Sequence, residues 1–174
     1  MTSYAIFLRG VNVGGITIKM ADLRTTLQAL PIANVRTILA SGNVLADSDL
    51  STAKLKETVE AALRKRFGYD AWVIVLTTDR VAALVEACPY PADDAAMHTY
   101  ITLASDASAL DELSAAAADD DDGEPVRLGP EAIAWKAPVG GTLESAMSKL
   151  TSAARYKRTT TTRNLRTLLK LKPS

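Results

Sequence analysis

Residues Gly10-Val11-Asn12-Val13-Gly14-Gly15-Ile16-Thr17 follow the spacing of a phosphate-binding loop, G-x-x-x-x-G-K-[ST], at every fixed position but one. Ile16 stands where that loop has its lysine, the group that reaches the β- and γ-phosphates, so the main charge of the mechanism is missing. Lys19 arrives three residues late, and the apolar periodicity of the next helix starts only near Met20. A helix N-terminus at that point is too far along to receive the phosphate directly. These features argue against nucleotide hydrolysis. One remaining reading is a β-hairpin or structured loop, with valines and isoleucines on both sides of a Gly14-Gly15 turn. The other is a glycine-rich loop whose amides meet an anion, Arg9 and Lys19 supplying the charge. The residue pattern favours the first.

A second group of anion-binding residue types lies near the C-terminus. Arg155, Lys157 and Arg158 precede four threonines, Thr159 to Thr162, and then Arg163 and Asn164. Threonine hydroxyls, free amides at the start of a helix capped by Thr162, and arginine would together suit a phosphate or carboxylate. The plainer reading is a capped helix with Arg163, Arg166 and Lys170 on its solvent side, opposite Leu165, Leu168 and Leu169.

Other reactive types are sparse. His98, the only histidine, lies opposite the stripe Met97, Thr99, Ile101 and Leu103 and reads as a solvent-facing strand residue. Cys88, the only cysteine, precedes Pro89 at a helix end and reads as a small packed residue. Asp119 to Asp122 resemble an exposed loop more than an ordered calcium loop, whose ligands are spaced apart. Trp72 and Trp135 fall in strand candidates and read as core. No metal and no cofactor is expected, and no side chain stands out as a general base or nucleophile.

The elements that must position these residues alternate irregularly. Tyr4 to Leu8 is a short strand. Met20, Leu23, Leu27 and Leu30 mark one helix face, stopped near Pro31. Val35 to Ala46 reads as a strand interrupted at Ser41-Gly42-Asn43 by a bulge or a tight bend. Ser51 or Thr52 caps a helix carrying Leu55, Val59 and Leu63, with Gly68 past its end. The run AWVIVL at 71–76 reads as a central strand buried on both faces. A helix from Thr78 or Asp79 follows, then a strand at Met97 to Leu103 and a helix from Asp106 or Ser108. A hairpin is expected around Gly129-Pro130, a helix over Ser145 to Ala154, and a last helix over 162–172.

This mixture predicts an α+β fold of two sheet-and-helix units, 1–78 and 79–174, with the last helix packing back on the N-terminal half. One internal echo hints at duplication: Val13-Gly14-Gly15 and Val139-Gly140-Gly141 each follow a strand candidate and precede a helix.

Composition sets outer bounds. A chain of 174 residues, 48% apolar and 23% charged, is an ordinary globular composition. A single cysteine, no long apolar run, and an N-terminus MTSYAIFLRG without a basic leader favour a soluble cytoplasmic protein. Net charge is zero but uneven: Asp106 to Glu124 holds eight acids and no base, whereas Lys136 to Lys172 holds nine bases and one acid. An anionic partner at the basic end is the weak implication.

Three blocks, LRGVNVGGITIKMADL at 8–23, VRTILASGNVLADS at 35–48 and TTRN at 161–164, resemble the bacterial family called domain of unknown function 1697. The resemblance implies two similar ferredoxin-like subdomains and supplies no reaction. The matching positions are Arg9, Gly10, Asn12, Gly14, Gly15, Lys19 and Met20, then Ser41, Gly42 and Asn43, then Thr161, Thr162, Arg163 and Asn164. Leu165 departs from it, where a tryptophan would be expected. These loop positions suggest a binding module for a small phosphate- or carboxylate-bearing ligand. Nucleic acid fits less well, given zero net charge and only two phenylalanines. An enzyme using Arg9, Asn12, Asn43, Arg163 and Asn164 as an anion clamp, and a scaffold without a ligand, both stay open. No membrane association is expected, and the oligomeric state is not legible.

Overall fold

The computed structural model describes residues 1–12, 16–117, 125–140, 146–151, 153–156 and 158–173. The Gly14-Gly15 turn, the aspartate run, Gly141 and Lys157 therefore lie outside the described residues. The chain divides into two units, 1–81 with 171–174, and 82–170.

The first unit runs β1 (Thr2–Leu8), α1 (Met20–Gln28), β2 (Ala33–Ile38), β3 (Asn43–Ser48), α2 (Thr52–Phe67) and β4 (Val73–Thr77). Its sheet has the order β2-β3-β1-β4 with every pair antiparallel. Helix α3 (Thr78–Ala87) follows β4 directly, and the unit boundary falls within it. The second unit runs β5 (Met97–Ala104), α4 (Ala107–Ala116), β6 (Val126–Gly129), β7 (Ala132–Pro138), α5 (Ala146–Thr151), a 3-10 turn at Ala154–Tyr156, β8 (Thr160–Asn164) and α6 (Leu165–Leu169). Its sheet has the order β6-β7-β5-β8, again antiparallel. Strand for strand the two orders correspond. Both units are ferredoxin-like, and the fold is α+β as the sequence indicates.

The first core forms where the two periodicities meet. Tyr4, Ile6 and Leu8 alternate on one face of β1, and Leu23, Leu27, Leu55, Val59 and Leu63 come from the stripes of α1 and α2. Each fully buried leucine of this kind contributes about 1.5–3 kcal/mol. Helix α2 starts where Ser51 Oγ accepts from the Lys54 N–H (3.2 Å) and ends at Gly68, whose φ of 68° is left-handed. The second core gathers Leu110 and Leu113 of α4, Met147 of α5, Ile133 and Trp135 of β7, and Tyr156.

Several expectations need correction. The AWVIVL run is buried on both faces, but β4 is an edge strand, not a central one. Apolar burial of the faces says nothing about ladder position. At its outer side, Glu60 Oε2 accepts from the Val73 N–H (3.0 Å) while Lys56 Nζ donates to the Val73 carbonyl. Lys56 and Glu60 pair at 3.0 Å. Of the two readings of the Ser41-Gly42-Asn43 break, the tight bend is the one found: Ser41 and Gly42 lie in the turn joining β2 to β3, and Asn43 opens β3. The threonine run is not a helix cap. Thr160 to Asn164 form β8, in keeping with the strand preference of β-branched residues, and Asn164 caps the short α6. Trp135 is core, whereas Trp72 sits just before β4, half-buried beneath the Arg64 guanidinium.

The glycine echo is not the repeat. Val13-Gly14-Gly15 follow the first strand of their unit, whereas Val139-Gly140-Gly141 follow the third strand of theirs. Among the described residues, no helix is long and apolar enough to cross a membrane.

Candidate functional site

The residues after β1 and those between β2 and β3 meet at one end of the first sheet. The Leu8 N–H donates to the Gly42 carbonyl (2.8 Å) and the Arg9 N–H to the Trp72 carbonyl (3.1 Å), so the chain leaves the sheet under control. Arg9 is half-buried, and burial lowers its guanidinium pKa. Val11 and Ile16 form one isolated bridge of parallel type, and the Asn12 N–H donates to the Ile16 carbonyl (2.9 Å). The Gly14-Gly15 turn, on which the hairpin and structured-loop readings rest, lies outside the described residues, and the residues flanking it share this single bridge.

Asn12 ties this loop to the neighbouring turn. Its Nδ2 donates to the carbonyls of Ile18 (2.9 Å) and Ala40 (2.8 Å), and its Oδ1 accepts from the Ile18 N–H (2.9 Å). In the turn, Asn43 is fully buried, and its Nδ2 donates to the Ile38 carbonyl and to Ser41 Oγ, both at 2.9 Å. Gly10, Asn12, Leu39 and Gly42 all hold left-handed backbone, with φ of 69°, 59°, 61° and 87°. Gly42 is required twice over: its φ suits glycine, and an added Cβ would stand 2.9 Å from Leu8 Cβ. Lys19, exposed, occupies the N-cap position of α1 without a side-chain capping bond. Gly14 and Gly15 lie outside the described residues.

Thr161, Thr162, Arg163 and Asn164 belong to the second unit, where they form β8 against β5. Thr162 and Thr102 share a hydroxyl–hydroxyl bond of 2.8 Å, and Trp135 Nε1 donates to Thr102 Oγ1 (2.9 Å). Arg163 is buried, not solvent-facing, and its Nη1 donates to Thr161 Oγ1 (2.7 Å) and the Thr162 carbonyl (3.0 Å). Asn164 Oδ1 accepts from the Arg166 N–H (2.9 Å). The structure thus joins 9–19 to 39–43 in one unit and places 161–164 in the other.

The lone histidine and cysteine are quiet. His98 Nδ1 lies 3.3 Å from the Tyr100 hydroxyl, and Tyr100 stacks on Trp135. Burial pushes the Cys88 thiol up, away from thiolate reactivity. No group of three or more His, Cys, Asp or Glu that could hold a metal occurs among the described residues. Sequence reasoning passed over two sets: the Lys56–Glu60 pair, visible in principle as a charge pair at helical spacing, and Ser3, Asn34, Arg36 and Asp47 at the far end of the sheet.

A solved structure resembles the whole chain: a conserved bacterial protein, SP0830, from Streptococcus pneumoniae, with a TM-score of 0.76 and 26% identity over 98% of this chain and 96% of that one. No curated protein matches. The family model described as protein of unknown function (DUF1697) matches residues 1–133, which take in the loop 9–19 and the turn 39–43 and stop before β8. The chain belongs to that family.

Proposed function

We propose that the joined loops of the first unit bind a small ligand carrying a phosphate or carboxylate, with Arg9 and Lys19 as its cations and the Gly10, Ser41 and Gly42 segments as backbone donors. The observation that carries this reading is a surplus of chain. In the second unit, Ser105 and Asp106 alone join the first strand to its helix, and Pro130 and Glu131 alone form the hairpin turn. There the Ala104 N–H donates to the Glu131 carbonyl (2.8 Å) and the Ser105 N–H to the Thr159 carbonyl (2.8 Å). These are the counterparts of the Leu8–Gly42 and Arg9–Trp72 bonds. Two-residue connections therefore suffice to close this sheet, and residues 9–19 and 39–42 exceed what closure needs.

The surplus is also strained and held. A left-handed leucine costs about 1–2 kcal/mol, and such backbone gathers at ligand clamps where surrounding bonds fix it. Asn12 does the fixing, since its side chain holds Ile18 and Ala40 to one another without any ligand. Its polar groups are amides, hydroxyls and cations, which suit binding better than acid–base chemistry.

A thermal-shift titration with inorganic phosphate, a sugar phosphate and citrate tests the site. Stabilisation that falls with added salt and disappears in both Arg9→Lys and Lys19→Ala is the expected result. Equal stabilisation of the wild type and both variants would rule the loops out.

A further inference from the structure

At the opposite end of the first sheet lies a cavity of about 190 Å³, built within the first unit by β1, β2, β3, Thr78 and the terminal residues Lys172 and Pro173. Its charged and polar lining is Ser3, Asn34, Arg36, Asp47, Thr78 and Lys172. We propose that this cavity is a binding site for a small zwitterion, a molecule bearing one carboxylate and one ammonium group, of which a short α-amino acid is the simplest.

The register of β2 builds the site. Ala33 pairs with Asp47, so a regular ladder would bring Val35 opposite Leu45, yet it is Arg36 that pairs with Leu45. The extra residue is a β-bulge, and Asn34 within it has a left-handed φ of 53°. The bulge has two effects. Val35 turns into the helix-covered core, and Arg36 takes the place beside Leu45 on the cavity side. Asn34 is brought to the Asp47 carboxylate.

Asp47 is thereby set as an anion. Ser3 Oγ donates to its Oδ1 (2.6 Å) and Asn34 Nδ2 to its Oδ2 (2.8 Å), and these bonds, Asn34's first, hold its pKa below the ordinary carboxylate value. Both donors are neutral, and the N-terminal ammonium and Arg36 act on the carboxylate only as weaker coulombic contributions, so each oxygen keeps a further lone pair for an ammonium N–H. Arg36 and Lys172 make no hydrogen bond or ion pair among the described residues. They supply donors for a carboxylate, Arg36 as a planar fork.

The mixture of signs selects the ligand. A simple anion would meet Asp47, and a simple cation would meet Arg36 and Lys172. A molecule with both charges satisfies all three. The volume lies below the range of about 300–1,000 Å³ usual for drug-sized ligands, and the cavity opens to solvent past Asn34, Arg36 and Lys172, which suits a small polar occupant.

The test is calorimetric titration of the full chain with glycine and alanine, set against acetate, propionate and methylamine at matched ionic strength. Glycine or alanine should bind, and the singly charged compounds should bind at least about tenfold more weakly, as expected for loss of a charged hydrogen-bonded partner. Lys172→Ala, exposed and therefore harmless to folding, and Arg36→Ala should each weaken glycine about tenfold or more. Asp47→Asn should narrow the gap between glycine and acetate. Arg9→Ala, at the other end of the sheet, should leave glycine binding unchanged. Acetate binding as tightly as glycine overturns the proposal, as does unchanged binding in Lys172→Ala and Arg36→Ala, loss of binding in Arg9→Ala, or no amino-acid binding at millimolar concentration.

Discussion

The two units share a strand order and the same pair of backbone hydrogen bonds at the end of the central strand, yet they differ in what they hang on that frame. In the second unit the connections 105–106 and 130–131 are minimal, and Asp106 caps α4 as soon as β5 ends, its Oδ1 accepting from the Ser108 N–H. In the first unit the corresponding connections lengthen, adopt left-handed backbone and are tied together by Asn12. At matching ladder positions the polar chemistry also changes: Ser3 pairs with Asp47 in one sheet, and Thr99 with Lys136 in the other. At these two connections the second unit keeps to what closure of the sheet requires, and the first unit exceeds it.

That contrast is breakable by measurement. Gly42→Ala carries the largest expected effect, about 3 kcal/mol lost in urea denaturation, because strain and a clash with Leu8 add together. Gly10→Ala, with left-handed φ but open space around its Cβ, should lose only about 1–2 kcal/mol. If the two variants are equally mild, the turn is not tightly seated against β1. Asn12→Ala should cost about 2 kcal/mol through its lost backbone bonds. Hydrogen exchange should then quicken at Ile18 and leave β5 and β8 protected; faster exchange throughout would show that Asn12 supports more than its loop.

Two tyrosines sharpen the comparison with opposite signs. Tyr156 OH donates to Glu112 Oε2 (2.9 Å), so Tyr156→Phe should destabilise by about 1 kcal/mol. The Tyr69 hydroxyl is buried without a partner among the described residues, so Tyr69→Phe should be neutral or stabilise by up to about 1 kcal/mol. A cost for Tyr69→Phe would mean that its hydroxyl has a partner in solution. The smallest effect concerns pH. The folded pKa of Asp47 is depressed, so its stabilisation is present above the ordinary carboxylate range and is lost as pH falls through the lowered value. Solvent screening keeps the term small. Asp47→Asn should flatten the acid limb of a melting-temperature profile slightly, and an unchanged limb would show that the two neutral donors contribute nothing.

The sequence carried the helices well because their evidence is periodic: Leu23 and Leu27, or Leu55, Val59 and Leu63, announce a face whatever surrounds them. It carried ladder position poorly. Val73 to Val75 are as apolar as an inner strand, and only the missing neighbour makes β4 an edge. Threonines misled because the same residues cap helices and fill strands, and the choice at Thr160 to Asn164 is made by pairing with β5. Asn12 and Asn43 were recognisable as loop polar groups, but residue type does not reveal that their amides face their own backbone. The bulge at Asn34 left no trace at all, since a shift of register changes no residue.

The Lys56–Glu60 pair on Val73 has one more consequence. An open strand edge is a template onto which another extended chain can add, the first step towards fibrils and swapped dimers. By covering a donor and an acceptor of that edge with helix side chains, α2 makes β4 a poor seed for such growth. The same two charges that complete a hydrogen-bond inventory in the folded chain thus stand against strand addition at Val73.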